Sequence, residues 1–157
     1  MVKVKGNIWE LGRSPHWIVV PTNIGWTSEG KNVMGAGIAL QAKRHYPMLP
    51  SWYGAFCKRF GAATQPCCFS NLILFPVKPL DLGHPYLSWR QEASLELIER
   101  SAYNLAQAVR IMERVGGANI YVPLVGCGNG GRKPEEVLPI LERHLTDERF
   151  VLVEYKK

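Results

Sequence analysis

The sequence lacks most of the features that assign a chain to a class at sight. It has no C-x-x-C pair and no metal-ligand spacing among His16, His45, His84 and Cys127. No apolar run approaches membrane-spanning length, and the opening Met1-Val2-Lys3-Val4-Lys5 alternates like a strand, without the apolar core of a secretory leader. These absences argue against a zinc module, a dithiol redox enzyme and a membrane protein. Its four cysteines, Cys57, Cys67, Cys68 and Cys127, include an adjacent pair and imply reduced thiols in a cytoplasmic setting. No repeat, low-complexity segment or linker interrupts the chain, so residues 1–157 read as one domain. With 46% hydrophobic and 20% charged residues the chain is ordinary for a globular protein, while a net charge of +6 favours polyanionic partners.

The most informative stretch is Tyr121-Val122-Pro123-Leu124-Val125-Gly126-Cys127-Gly128-Asn129-Gly130-Gly131. Its apolar half reads as a buried strand and its glycine-rich half as a loop whose backbone N–H groups converge on one concavity, a cradle for phosphate oxygens. Pro134 suits the first turn of a following helix, whose N-terminus adds partial positive charge. The unit points to an anionic ligand without naming one.

Taken in order, Val2–Leu11 reads as a strand and His16–Thr22 as a second, central one. A long glycine-rich loop follows, ending in Met34-Gly35-Ala36-Gly37, of a length that is usually functional. Helical segments are predicted from Gly37 to Tyr46 and over Met48–Phe60, with Leu49, Trp52, Tyr53 and Phe56 in the core. Gln65–Ser70 and Leu72–Val77 read as a strand pair that delivers Lys78 just past its end. Ser88 is expected to cap a long helix over Trp89–Val115, stopped by Gly116-Gly117. A helix over Glu135–Leu145 and a strand over Phe150–Tyr155 complete an α/β sandwich with a largely parallel or mixed sheet.

Gly126, Gly128 and Gly131 also satisfy the dinucleotide pattern G-x-G-x-x-G, with Glu154 at the end of the next strand. Only one strand follows, however, and Pro134 leaves every glycine ahead of the helix. Two glycine loops, each after a strand and before a helix, favour a diphosphate ligand at the carboxyl edge of a sheet over a pair of simple turns.

Three blocks then carry a resemblance: Asn23 with Val33-Met34-Gly35-Ala36-Gly37-Ile38-Ala39-Leu40-Gln41, Phe75-Pro76-Val77-Lys78, and Pro123 to Gly131. In order and context they resemble the macrodomain family, in particular the branch of DarG-type DNA ADP-ribosyl glycohydrolases and terminal ADP-ribose glycohydrolases. The resemblance runs from Val4 to Tyr155 and implies a three-layer α/β/α macrodomain-like sandwich with a central mixed sheet. It implies ADP-ribose as ligand or product, with no other cofactor and no metal. The modified target is a macromolecule, with single-stranded DNA a candidate, and a toxin partner is a further implication.

Position by position, the resemblance places Asn23 near the distal ribose and Lys78 at the anomeric carbon, the two catalytic candidates. Val33, Met34, Gly35, Gly37 and Ile38 wrap the diphosphate, and Val125, Gly126, Cys127, Gly128, Asn129, Gly130 and Gly131 form the second phosphate loop. Tyr155 packs on adenine beside Asn7 and Ile8, where Asn7 stands in place of the family's usual aspartate. The protein-directed branch carries a catalytic aspartate at the position of Gly130; here no acid is available, which favours lysine-dependent chemistry. Trp26, Trp89 and Arg90 are candidates for stacking on a base or contacting a strand. Two other readings stand beside the hydrolase: a module that binds ADP-ribose without turnover, and a hydrolase of small ADP-ribose derivatives.

Overall fold

Successive residues of the central strands feed two different cores, which forces helices onto both faces of the sheet. In the computed structural model, which describes residues 1–112 and 117–155, Ile18, Val20, Leu72 and Leu74 point to one side, whereas Val19, Ile73, Phe75 and Val77 point to the other. The first side is covered by α1 (Ile8–Leu11), α2 (Gly37–His45) and α3 (Leu49–Phe60) through Ile8, Ala42, Leu49, Tyr53 and Cys57. The second is covered by α4 (Leu95–Ile111) and α5 (Pro134–His144) through Ile98, Ala102, Leu105, Val109, Val137, Ile140 and Leu141. The expected three-layer α/β/α sandwich is the observed one.

The sheet has six strands, β1 (Val2–Gly6), β2 (Trp17–Asn23), β3 (Cys67–Phe69), β4 (Leu72–Lys78), β5 (Ile120–Val122) and β6 (Phe150–Tyr155), in the order β1-β6-β5-β2-β4-β3. All neighbours are parallel except β3 and β4, which makes the sheet mixed. The carboxyl ends of β1, β6, β5, β2 and β4 therefore share one edge. No helix among the described residues is long and apolar enough to cross a membrane.

Several boundaries differ from expectation, each for a local reason. The first strand stops at Gly6 instead of Leu11 because the Asn7 side chain accepts the Trp9 N–H at 2.8 Å and caps α1. The strand before the second glycine loop is only Ile120–Val122; Pro123 has no N–H to continue the ladder. The long helix begins at Leu95, not Trp89. Ser88 is buried, its hydroxyl bonded to the Pro85 carbonyl and the Asp81 N–H, so the cap falls to Ser94, which accepts the Leu97 N–H at 3.1 Å. Residues 85–90 instead form a 3-10 turn. The helix ends at Ile111, and the expected stop at Val115 and Gly116 lies outside the described residues. Trp52, expected in the core, is 39% exposed, and Phe56 is half-buried.

Candidate functional site at the carboxyl edge of the sheet

The strand order assembles what the sequence scatters. Along the carboxyl edge lie Asn7 after β1, Tyr155 at the end of β6, residues 125–131 after β5, Asn23 at the end of β2 and Lys78 at the end of β4. Four inter-strand gaps separate the first from the last, about 19 Å at ordinary sheet spacing.

Asn23 is buried and fully engaged in shaping the first glycine loop. Its Nδ2 donates to the Val33 carbonyl at 2.8 Å, and its Oδ1 accepts from the Gly25 N–H and from Asn32 Nδ2. Asn32, 2% exposed, also reaches the carbonyls of Asn23 and Gly25, while its own Oδ1 has no partner. The sequence reading missed Asn32; a second asparagine in the same glycine-rich loop was the available signal. Met34 is buried, and Gly35, Ala36 and Gly37 are exposed. Gly37 has φ +56°, and the N-terminus of α2 has no side-chain cap, so its first N–H groups are open to an acceptor from outside the helix.

The second loop is shaped by contact with the segment before α4. A Cβ on Gly126, whose φ is +75°, would sit 2.9 Å from Ile98 and 3.0 Å from the Ala93 methyl; one on Gly130 would sit 2.4 Å from the Gly126 carbonyl oxygen and 2.8 Å from Ala93. The Gly130 carbonyl accepts the Ala93 N–H, and Arg132 Nε donates to the Ala93 carbonyl at 2.6 Å. Nothing in the sequence pattern marked Ala93 as the floor of this loop. The N–H groups of Val125, Gly126, Gly128, Asn129 and Gly130 have no acceptor among the described residues, so five donors of this loop are without an internal partner. Burial, with Glu135 and Glu136 nearby, pushes the Cys127 thiol up, so it stays protonated and weakly nucleophilic at neutral pH.

Lys78 pairs in register with Asn23 across β4 and β2. Its Nζ donates to the Trp89 carbonyl at 2.8 Å, and partial burial holds its pKa below the usual 10.5. The 3-10 turn that supplies this carbonyl packs directly on Gly25, where a Cβ would lie 2.1 Å from the Pro85 carbonyl oxygen. Trp89 and Arg90 are thereby exposed at the rim beside Lys78. Trp26, by contrast, is half-buried against the core beneath α1–α3.

At the far end of the edge Tyr155 is 78% exposed and Ile8 is buried. Asn7 spends one acceptor lone pair on Trp9 and keeps the other. Among the described residues no group of three or more His, Cys, Asp or Glu side chains is placed to hold a metal ion. The edge thus offers unpaired backbone donors in its middle, an amine at one end and an exposed ring at the other.

No family model matches the chain. It is 34% identical over 115 residues to the DNA ADP-ribosyl glycohydrolase of Mycobacterium tuberculosis, a match that takes in 67% of this chain and 29% of that relative. The chain thus spans less than a third of the curated relatives it matches. Among solved structures, it superposes on the macrodomain of Mycobacterium tuberculosis DarG with a TM-score of 0.72 at 25% identity, covering 99% of this chain and 97% of that one. The macrodomain of Thermus aquaticus DarG gives 0.69 at 25% identity with the same coverage. Thermosipho africanus DarTG in complex with ADP-ribose gives 0.67 at 22% identity, covering 99% of this chain and 42% of that one, and so shares the fold. Sheet order, paired glycine loops and these likenesses agree: the chain belongs to the macrodomain family, in the branch that holds the DarG macrodomains.

Proposed function

We propose that this macrodomain hydrolyses the bond between ADP-ribose and a modified target, that the target is DNA, and that Lys78 acts at the anomeric carbon. The observation that carries the reading is the order of groups along the carboxyl edge. An exposed ring and an amide lie at one end, unpaired backbone donors in the middle, and an amide and an amine at the other end. This is the linear order of adenine, diphosphate and distal ribose. Tyr155 and Asn7 take the adenine, with Ile8 beneath. The diphosphate lies between residues 33–38 and residues 125–131, which neutralise it with N–H groups instead of side-chain charge. Asn23, held by Asn32, fixes the loop against the distal ribose and is a positioning residue as much as a ribose ligand. DNA as target is supported by the activity for which the 34% identical relative is named.

The chemistry follows from an amine at the reacting end and from the lack of an acid at position 130. Burial favours the neutral form of Lys78, which can attack the anomeric carbon while the target departs with the bonding electrons and takes up a proton. Water then displaces the lysine, returning the free amine and ADP-ribose, so no cofactor enters. The alternative role, a fixed ammonium that stabilises the leaving group, has the opposite pH signature. A nucleophilic lysine is active only when neutral, so the rate rises with pH and levels off above its lowered pKa. A stabilising cation loses activity as pH rises through the same value.

The test compares the protein with a Lys78→Ala variant on ADP-ribosylated single-stranded DNA and on glutamate-linked ADP-ribosylated protein. Release from DNA is expected, reduced roughly 100-fold or more in the variant, with a rate that climbs with pH. ADP-ribose binding without release from either substrate would leave a reader module in place of the hydrolase. Unchanged release in the variant would remove the lysine mechanism. A toxin partner, which the resemblance to the DarG-type branch implies, is tested by co-purification of the protein from its native host.

A further inference from the structure

The net positive charge of the chain is carried by one part of it. Residues 30–80 hold six lysines and arginines and no aspartate or glutamate, while the rest of the sequence holds thirteen of each sign, so this segment carries the whole net charge of +6. It supplies the first glycine loop, α2, α3, β3 and β4. Lys43, Arg44, Lys58 and Arg59 on its two helices are exposed and have no acidic partner among the described residues. On the opposite side several cations are paired: Arg143 and His144 with Glu99, and Arg132 with Glu92 and Glu136.

Rings lie among these cations. A groove of about 560 Å³ opens between α1, the last turn of α2 and the start of β2, lined by Trp9, Arg13, His45 and Tyr46, with Asn7 and one acid, Glu10, also on its wall. The rings of Trp9 and His45 stack at 4.4 Å within it. On α3, Trp52 and Phe60 are exposed, and the Arg59 guanidinium lies 5.5 Å from the Phe60 ring centre. Cations in the last turn of α2 also complement the helix dipole, but the dipole asks nothing of the rings and does not explain 51 residues without an acid. A cationic face interleaved with aromatic rings suits a strand whose bases are unstacked. A duplex would hide those bases, and a bilayer would need the rings to protrude, whereas Trp52 packs against Phe56 and Phe69.

We propose that single-stranded DNA lies across the α2–α3 face, with phosphates on Lys43, Arg44, Lys58 and Arg59 and a base in the groove at Trp9 and His45. Helix α2 starts in the first glycine loop and ends at the groove about 13 Å away, so a strand whose modified base sits at the carboxyl edge continues naturally onto this face. The identity of the strand rests on the DNA target proposed above. The experiment therefore uses unmodified DNA, so that its outcome does not depend on hydrolysis.

Fluorescence anisotropy with a labelled single-stranded oligonucleotide is measured for the protein and for the double variants K43E/R44E and K58E/R59E. Each pair is expected to weaken binding at least tenfold and to lower the slope of log Kd against log salt by about 1.4, the value for two phosphate contacts on a single strand. Arg13→Glu should weaken it threefold or more, while ADP-ribose binding by calorimetry and the melting temperature stay unchanged in all three. The proposal is overturned if either pair leaves the affinity within twofold, or if K3E/R110E on the other face weakens it equally. Competition by duplex DNA or by phosphatidylserine vesicles as strong as by the single strand also overturns it.

Discussion

The two glycine loops present the same kind of backbone surface and are held by different means. Residues 33–37 are tied down by side chains, with Asn23 gripping the Val33 carbonyl and Asn32 gripping Asn23 and Gly25 from a buried position. Residues 125–131 are held mainly by close contact, because Gly126 and Gly130 press on Ala93 and on each other with no room for a methyl group. One loop depends on polar groups that can be removed singly; the other depends on size. The same glycine content therefore predicts opposite sensitivities, and mutation should separate them.

The largest effect is expected at Gly130. A Cβ there would lie 2.4 Å from the Gly126 carbonyl oxygen and 2.8 Å from the Ala93 methyl, and neither is the movable end of a long side chain. Gly130→Ala should cost about 1–3 kcal/mol and lower ADP-ribose affinity more than tenfold, read by thermal unfolding and calorimetry. Adding Ala93→Gly should recover part of the loss, because the two positions share one contact. An unchanged melting temperature in Gly130→Ala would mean that crowding does not hold the loop. The same crowding would keep any side chain, an aspartate included, from position 130 unless the backbone beneath it moved first.

Much of this loop was legible in the sequence, and most of its support was not. The glycines after an apolar run marked the cradle, and local patterns gave α2, the β3–β4 hairpin with its turn at Ser70-Asn71, and β6. Order along the edge was hidden, because β1-β6-β5-β2-β4-β3 is not chain order and depends on which strands pair at long range. Ala93 was invisible because a small residue carries no signal until its neighbour is known. Ser88 was the expected cap, and only the turn at Pro85–Arg90, which buries it, passes the role to Ser94. Asn7 stands where the resemblance expects an aspartate, and the cap it makes with Trp9, which no pattern announced, still leaves it one acceptor lone pair.

A middle-sized effect is expected at Asn32, where the first loop can be broken without touching a glycine. Asn32→Ala removes the donors to Asn23 and Gly25 but also removes a buried Oδ1 that has no partner, so the two changes partly offset. The expected loss is about 1–2 kcal/mol, with weaker ADP-ribose binding as Asn23 loses its fixed orientation. Asn32→Asp keeps the shape yet places acceptors where donors are needed, and should be worse than alanine. If alanine were worse than aspartate, the amide would be filling space and not orienting Asn23.

The smallest effect on folding is expected at Gly128, and it is the sharpest test of the comparison. A Cβ there meets nothing within 4 Å, so Gly128→Ala should leave unliganded stability within about 0.5 kcal/mol of the parent. Its N–H is among those without an acceptor, and the space around it is where a diphosphate would approach. The melting temperature without ligand should therefore hold, while the rise produced by saturating ADP-ribose shrinks, since that rise follows affinity. Gly130→Ala would lower both. If Gly128→Ala lowered unliganded stability as far as Gly130→Ala, the loop would be limited by backbone freedom at every glycine and not by its contact with Ala93. If it changed neither quantity, the diphosphate would pass elsewhere, along the N-terminus of α2 and the loop that Asn23 and Asn32 hold.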